Sequence, residues 1–124
     1  MKKVTMKGKV PIDEHFTMSH ASYHVLEHGG KVYSATLNQT NVNFNNNKFY
    51  IIQVLQHDSN PNSCFLFTRW GRVGVPGQKS CLGPWSIDMA ILEYNKKHRE
   101  KSKKGDYREV ELNYDDDEEE QKKS

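Results

Sequence analysis

No run of apolar residues in this 124-residue chain approaches the roughly 20 needed to cross a bilayer, which excludes a transmembrane helix. The N-terminus, Met1-Lys2-Lys3-Val4-Thr5-Met6-Lys7, lacks the apolar stretch of a secretion signal, so an intracellular protein is expected. Cysteine is scarce. Cys64 and Cys81 are too far apart for a redox pair and too few for a metal site, and read as reduced thiols. A bridge between them would require Cα atoms within about 7 Å. Phosphate-binding glycine loops of the Walker or dinucleotide type are missing. The stretch Gly71-Arg72-Val73-Gly74-Val75-Pro76-Gly77 resembles one superficially, but Lys-Ser/Thr does not directly follow its last glycine, where Gln78 stands. There is no nucleophile elbow, and Ser86 precedes a helix instead. His20, His24 and His28 recur every fourth residue. Tyr23 and Val25 favour an extended chain there, which separates successive histidines by about 13 Å and keeps them from sharing one ion. No catalytic group, metal or cofactor is therefore expected.

What the chain does have is charge, unevenly distributed. Its net charge of +2 hides a pure acidic run at 115–120, which holds six of the 16 acids. Only Lys122 and Lys123 of the 18 bases lie beyond it, so residues 1–114 carry 16 bases against 10 acids. A basic body with an acidic appendage suits a polyanion binder, although a solubilising surface has the same composition. The tail reads first as a solvating device; a second reading folds it over the basic face as a mimic of DNA.

Residues 1–22 look weakly structured. Residues 23–38 alternate imperfectly around Gly29-Gly30 and predict a hairpin. Residues 38–48 are rich in Asn and read as a polar loop. The segment 49–55, Phe-Tyr-Ile-Ile-Gln-Val-Leu, is apolar on both faces and predicts a central strand. Turn chemistry at 57–63 leads to a second strand over 64–70, antiparallel to the first. Residues 71–83 are glycine-rich and bent. Ser86 is the expected N-cap of one helix, with Asp88 in its first turn. Ile87, Ala90, Ile91, Tyr94 and His98 form its core stripe. Gly105 is the expected left-handed residue that ends it, and 107–114 alternates as a last strand. The fold class is α+β: an antiparallel sheet with one main packed helix. The divisions are a flexible basic N-terminus at 1–10, a domain at 11–114, and a disordered acidic tail at 115–124.

One segment carries concentrated chemistry. In Arg69-Trp70-Gly71-Arg72-Val73-Gly74 two guanidinium groups flank an indole, next to a glycine that opens the backbone. Guanidinium forks suit phosphate oxygens, and an indole packs on an exposed sugar or base. From these residues alone, a core Trp70 with solvated Arg69 and Arg72 is the simpler reading.

A wider pattern favours the first reading. Leu37-Asn38-Gln39-Thr40-Asn41, Asn45-Asn46-Asn47-Lys48-Phe49-Tyr50-Ile51-Ile52-Gln53, Arg69-Trp70-Gly71-Arg72-Val73-Gly74 and Gly77-Gln78 resemble the WGR domain of the DNA-break-activated poly(ADP-ribose) polymerases. The likeness is to their short nuclear members without zinc fingers, and runs from near Pro11 and Asp13 to near Tyr114. The resemblance implies an α+β domain that binds DNA ends and nicks, with a preference for a 5′-phosphate. It implies that Trp70 packs on sugar at the break, beside Gly71, and that Asn47 and Lys48 meet the phosphate backbone. Arg72 would contact DNA and neighbouring domains; Lys101 and Tyr107 would approach the terminal phosphate. The link 102–106 is shorter than in the family and lacks an aromatic that shapes the phosphate pocket there. No catalytic domain follows, so a non-enzymatic, monomeric, nuclear module tied to ADP-ribosylation and DNA repair is expected. The alternative is a protein-interaction module that docks an ADP-ribosyltransferase or repair factor in trans.

Overall fold

The computed structural model describes residues 10–41 and 46–111. Its centre is the strand predicted to be apolar on both faces. β5 (Asn46–His57) pairs on one side with β6 (Asn60–Arg72) and on the other with β4 (Ser34–Asn41), all antiparallel. The sheet runs β7-β6-β5-β4-β8, with β7 spanning Gln78–Trp85 and β8 spanning Arg108–Val110. One helix, α1 (Ile87–Arg99), lies on one face and continues into a π-helical turn at Glu100–Lys104. The α+β class expected from the sequence is the one observed.

The predicted hairpin at 23–38 is a smaller device than its length suggested. Only β2 (Glu27–His28) and β3 (Lys31–Val32) pair across Gly29-Gly30, whose φ angles of +59° and +79° require glycine. The flanking residues pair with β5 instead. β1 (Tyr23–Val25) lies along β5 from His57 to Leu55, and β4 continues on the same edge from Gln53. The Leu26 amide donates to the Val54 carbonyl at 2.8 Å, and the Val54 amide to the Tyr33 carbonyl at 3.0 Å. The physical reason is burial: Val25, Leu26, Tyr33 and Ala35 gain more against the sheet than in an isolated ribbon.

Three other expectations require correction. The Asn-rich stretch 38–48 is mostly ladder: Asn38, Gln39, Thr40 and Asn41 pair with Phe49, Lys48, Asn47 and Asn46. Apart from Phe49 the residues paired there are polar, so the sequence shows no apolar period although the backbone is extended. The bent glycine segment 71–83 contains most of β7, an edge strand whose residues are largely exposed and so show no hydrophobic period. Residues 10–22 are held in place by a polar lock. Buried Gln53 accepts from the Asp13 amide at 3.0 Å and donates to the Pro11 carbonyl and the Ser34 hydroxyl, both at 3.1 Å. A 3₁₀ turn at His20–Ser22 then leads into β1.

The pleat sorts the core into two layers. On the helix face, Leu37, Tyr50, Ile52, Val54 and Leu66 pack under Ala90 and Tyr94, with Ile87 and Ile91 partly buried beside them. On the other face, Leu55 and Phe67 meet Phe16, Tyr23 and Val25. Ser86 caps α1 as expected, accepting from the Met89 amide at 3.3 Å. Gly105 is not the left-handed residue: its φ is −87°, and Asp106 takes the positive value at 56°. Glycine is needed at 105 for space, because a Cβ there would lie 3.0 Å from the Lys101 carbonyl and 3.1 Å from the Tyr107 ring. Cys64 is buried and Cys81 exposed, both free, and burial raises the Cys64 thiol above its ordinary value. The expected last strand beyond 111 and the acidic tail lie outside the described residues, as do the basic residues 1–9.

Candidate nucleic-acid interface

Strand register determines which residues of the Arg-Trp-Gly-Arg segment act together. Opposed residues on antiparallel strands share a face. Trp70 lies opposite Tyr50, and Arg72 opposite Lys48. Leu37 and Gln39 extend these two rows onto β4. The four side chains Lys48, Tyr50, Trp70 and Arg72 therefore project from the helix face, at the end of the sheet nearest the C-terminus of α1. Asn47, exposed on the neighbouring register position, holds the turn after Arg72 by accepting from the Val73 amide at 2.9 Å.

The aromatic groups at this end form one unit. Tyr50 and Trp70 stack with centroids 5.6 Å apart and planes inclined by 15°. Tyr107 meets Tyr50 edge-on at 6.0 Å. The Lys101 ammonium sits over the same Tyr50 ring, 4.9 Å from its centroid. Tyr50 is 5% exposed, whereas Trp70, Lys101 and Tyr107 are half-buried and reach solvent. Three residues singled out from the sequence thus converge on one that was not. Tyr50 looked like ordinary core in an apolar strand; its opposition to Trp70 was the only signal available, and it required the register. Burial raises the Tyr50 phenol above its ordinary value, partly offset by a hydrogen bond with Thr68, while Glu100 and Tyr107 raise it further. Burial raises the Tyr107 phenol as well.

The loop side of the cluster is fixed by glycines and by Gln39. The Gln39 amide donates to the Gly105 carbonyl, and the Tyr107 amide to the Lys101 carbonyl at 3.0 Å, tying the π-helical turn to β4. A Cβ on Gly77, where φ is +78°, would stand 2.1 Å from the Trp70 carbonyl oxygen. A Cβ on Gly71 would meet the Gly77 backbone at 2.9 Å. The missing side chain of Gly71 therefore makes room for the returning turn, and so sets the position of Trp70, rather than clearing a path toward solvent.

Arg69 departs from the picture of two guanidiniums flanking the indole. It projects from the opposite face, where Nε and Nη2 each donate to the Asp13 carboxylate at 3.0 Å and Nη1 donates to the Pro76 carbonyl at 2.7 Å. Its guanidinium also lies 4.9 Å from the Phe49 ring centroid. Alternation along β6 puts residues 69 and 70 on different faces. A cavity of about 450 Å³ beside it, lined by Phe49, Ile51, Val75 and Pro76 among others, lies away from the aromatic cluster.

Electrostatics distinguish this end of the sheet. Lys48 and Arg72 are exposed and directly opposed, and neither has an acidic partner among the described residues. Like charges opposed on a sheet destabilise it by a few tenths of a kcal/mol. Lys101 adds a third cation, only loosely balanced by Glu100 at 3.9 Å. The histidines of the 20-24-28 series are committed elsewhere: His20 bonds to the Phe16 carbonyl, His24 to Asp58 and Gln56, and His28 is exposed in β2. Among the described residues no group of three metal-ligating side chains converges, and no helix is long and apolar enough to cross a membrane.

An antiparallel sheet with one helix, carrying an aromatic stack and two opposed cations without acidic partners at one end, defines the described residues as a small α+β domain with a cationic edge. Comparison with known proteins makes this specific. The WGR domain matches residues 33–113, well over half of the chain, and the chain belongs to that family. It is 49% identical over 105 residues to poly [ADP-ribose] polymerase 2 of Zea mays, covering 82% of this chain and 16% of that protein. It is 42% identical over 106 residues to poly [ADP-ribose] polymerase 2 of Homo sapiens, covering 83% and 18%. It is 48% identical over 71 residues to the human protein mono-ADP-ribosyltransferase PARP3, covering 57% and 13%. The chain thus spans less than a fifth of the length of these curated relatives.

Proposed function

We propose that this domain binds DNA at strand breaks or ends, in the nucleus, and serves ADP-ribosylation and DNA repair without catalysing a reaction through the residues described. The observation that carries the reading is the opposed pair Lys48 and Arg72, next to the Trp70–Tyr50–Tyr107 stack and Lys101. A folded domain gains nothing in stability by opposing two unpaired cations. A phosphate backbone between them turns that repulsion into attraction. Trp70 offers its exposed edge to a sugar or base that has lost its neighbour, as happens at a nick or an end. Lys101 and the Tyr107 hydroxyl then serve as cation and donor for a terminal phosphate, and Asn47 and Lys48 for the backbone leading to it. Tyr107 remains protonated at physiological pH, and therefore a donor.

The test is a salt-controlled titration against nicked, blunt-ended and single-stranded DNA, with and without a 5′-phosphate. Trp70→Ala should weaken binding to ends and nicks by about 10- to 100-fold, the value of one base–aromatic contact, and affect intact duplex much less. Arg72→Ala should lower the slope of log affinity against log salt by about 1. If a closed circular duplex competes as well as a linear one, the domain reads backbone alone and break recognition is wrong.

A second reading, a docking module for an ADP-ribosyltransferase in trans, draws support from one observation. Val73 and Val75, on the turn after Arg72, are 53% and 51% exposed. Val75→Glu should abolish association with a full-length poly(ADP-ribose) polymerase in nuclease-treated solution if that surface docks it, and should leave DNA binding intact.

A further inference from the structure

The positive charge of the chain is concentrated in one place. Residues 96–104 hold six bases and one acid, a net +5 out of the +6 carried by residues 1–114. They form the last turn of α1 and the π-helical turn that follows it. Two of the six bases are already placed. Lys97 and Lys101 flank Glu100 at 4.0 Å and 3.9 Å, and Lys101 also covers the Tyr50 ring. The other four, Lys96, Arg99, Lys103 and Lys104, line one groove of about 310 Å³ together with Glu100. All four are exposed, and none has an acidic partner among the described residues.

Folding does not ask for this arrangement. Lys96, Arg99 and Lys103 follow the i, i+3, i+7 spacing that puts side chains on one helix face, so like charges repel at each step. The negative end of the helix attracts cations within its last turn, but it does not require them to share one groove. A row of phosphates fits the row of cations. The seven residues from Lys96 to Lys103 rise about 10 Å, and each strand of a duplex carries one charge per about 3.4 Å of axis, so about two or three phosphates match that length. A compact anion would meet one or two of the four side chains, whereas a backbone meets them all. The groove also adjoins the proposed DNA site, because Glu100 both lines it and reaches Lys101 above Tyr50.

We propose that Lys96, Arg99, Lys103 and Lys104 form a second backbone site, which grips the phosphates of duplex DNA next to the break held by Trp70, Lys101 and Tyr107. Contacts of this kind fix position and carry no sequence information. The groove supplies affinity for any duplex, and the Trp70 end supplies the preference for ends and nicks. The choice of ligand rests on the DNA-binding reading above, and the experiment separates the failure of one from the failure of the other.

The experiment uses the full chain carrying K96Q, R99Q, K103Q and K104Q together, beside R99K and Trp70→Ala as single variants. Glutamine has nearly the helix propensity of lysine and arginine, so the fold should be kept, and circular dichroism checks it. If the fold is lost, the pairs K96Q/R99Q and K103Q/K104Q take its place, each expected to lower the salt slope by about 1. Binding is titrated from 50 to 200 mM salt against a nicked duplex and a closed circular one. The fourfold variant should lower the slope of log affinity against log salt by about 2 or 3 on both ligands. Its deficit in affinity should therefore shrink about 10- to 40-fold between the two salt concentrations. R99K keeps the charge and should keep the slope. The ratio of affinities for nicked and closed duplex should hold in the fourfold variant and fall in Trp70→Ala. An unchanged slope, with Trp70→Ala still weakening the nicked complex, overturns the groove and leaves break recognition standing. A lowered slope with no effect of Trp70→Ala does the reverse. If polyglutamate displaces closed duplex from the unaltered chain as well as DNA of equal charge does, or if closed duplex does not bind at 50 mM salt, the groove is not a DNA site.

Discussion

The two faces of the sheet use arginine in opposite ways, three residues apart on one strand. Arg69 is 12% exposed, spends its hydrogen bonds on Asp13 and Pro76, and holds the N-terminal segment against Phe49. Arg72 is exposed, faces another cation and has no acidic partner among the described residues. The first arrangement lowers the energy of the folded chain; the second raises it slightly, with no acidic partner among the described residues to offset it. Where a local rule is broken with no compensating contact, the site is the first explanation to test.

The comparison breaks most directly at Arg69. Arg69→Met leaves the Asp13 carboxylate buried without its partner, and should cost about 3–5 kcal/mol in urea unfolding. A loss below 1 kcal/mol would mean that the two faces are not so different. High pH probes the helix face. Burial holds the Tyr94 phenol well above its ordinary value, with Glu109 and Tyr33 adding to the effect. The unfolded chain loses that proton near pH 10 and the folded chain does not, so stability must fall as pH rises beyond 10. The expected loss is about 1.4 kcal/mol per pH unit from Tyr94 alone. Tyr50 and Tyr107 act in the same direction. Tyr94→Phe should flatten the dependence of melting temperature on pH between 10 and 11. Removing the helix cap by Ser86→Ala should cost about 1 kcal/mol, detectable by thermal melting, with DNA affinity unchanged. The smallest effect carries the most information. Arg72→Ala should leave the free protein equally stable or more stable by up to about 0.5 kcal/mol, while lowering affinity for nicked DNA. A clear loss of stability would show that Arg72 is structural like Arg69, and the contrast would collapse.

The helix was legible because its signals are local: Ser86, Asp88 and the spacing of Ala90, Ile91 and Tyr94 lie within one short segment. β5 and the first part of β6 were legible because an apolar run buried on both faces has few alternatives. β7 was not, because an exposed edge strand through Gly83 and Pro84 has no hydrophobic period to read. The N-terminal segment was also missed. It is held by a buried glutamine and an ion pair with partners 40 and 56 residues away, which no local pattern reveals.

The sequence by itself determined the composition of the site, because the Trp-Gly-Arg segment and the flanking blocks are specific enough to fix the family and the chemistry on offer. Only the tertiary structure decided which of those groups share a face. Side chains alternate along a strand, so the register between β5 and β6 turned Arg69 inward as a lock and aligned Trp70 and Arg72 with Tyr50 and Lys48. That register depends on contacts between residues far apart in the chain, and neighbouring letters do not encode it.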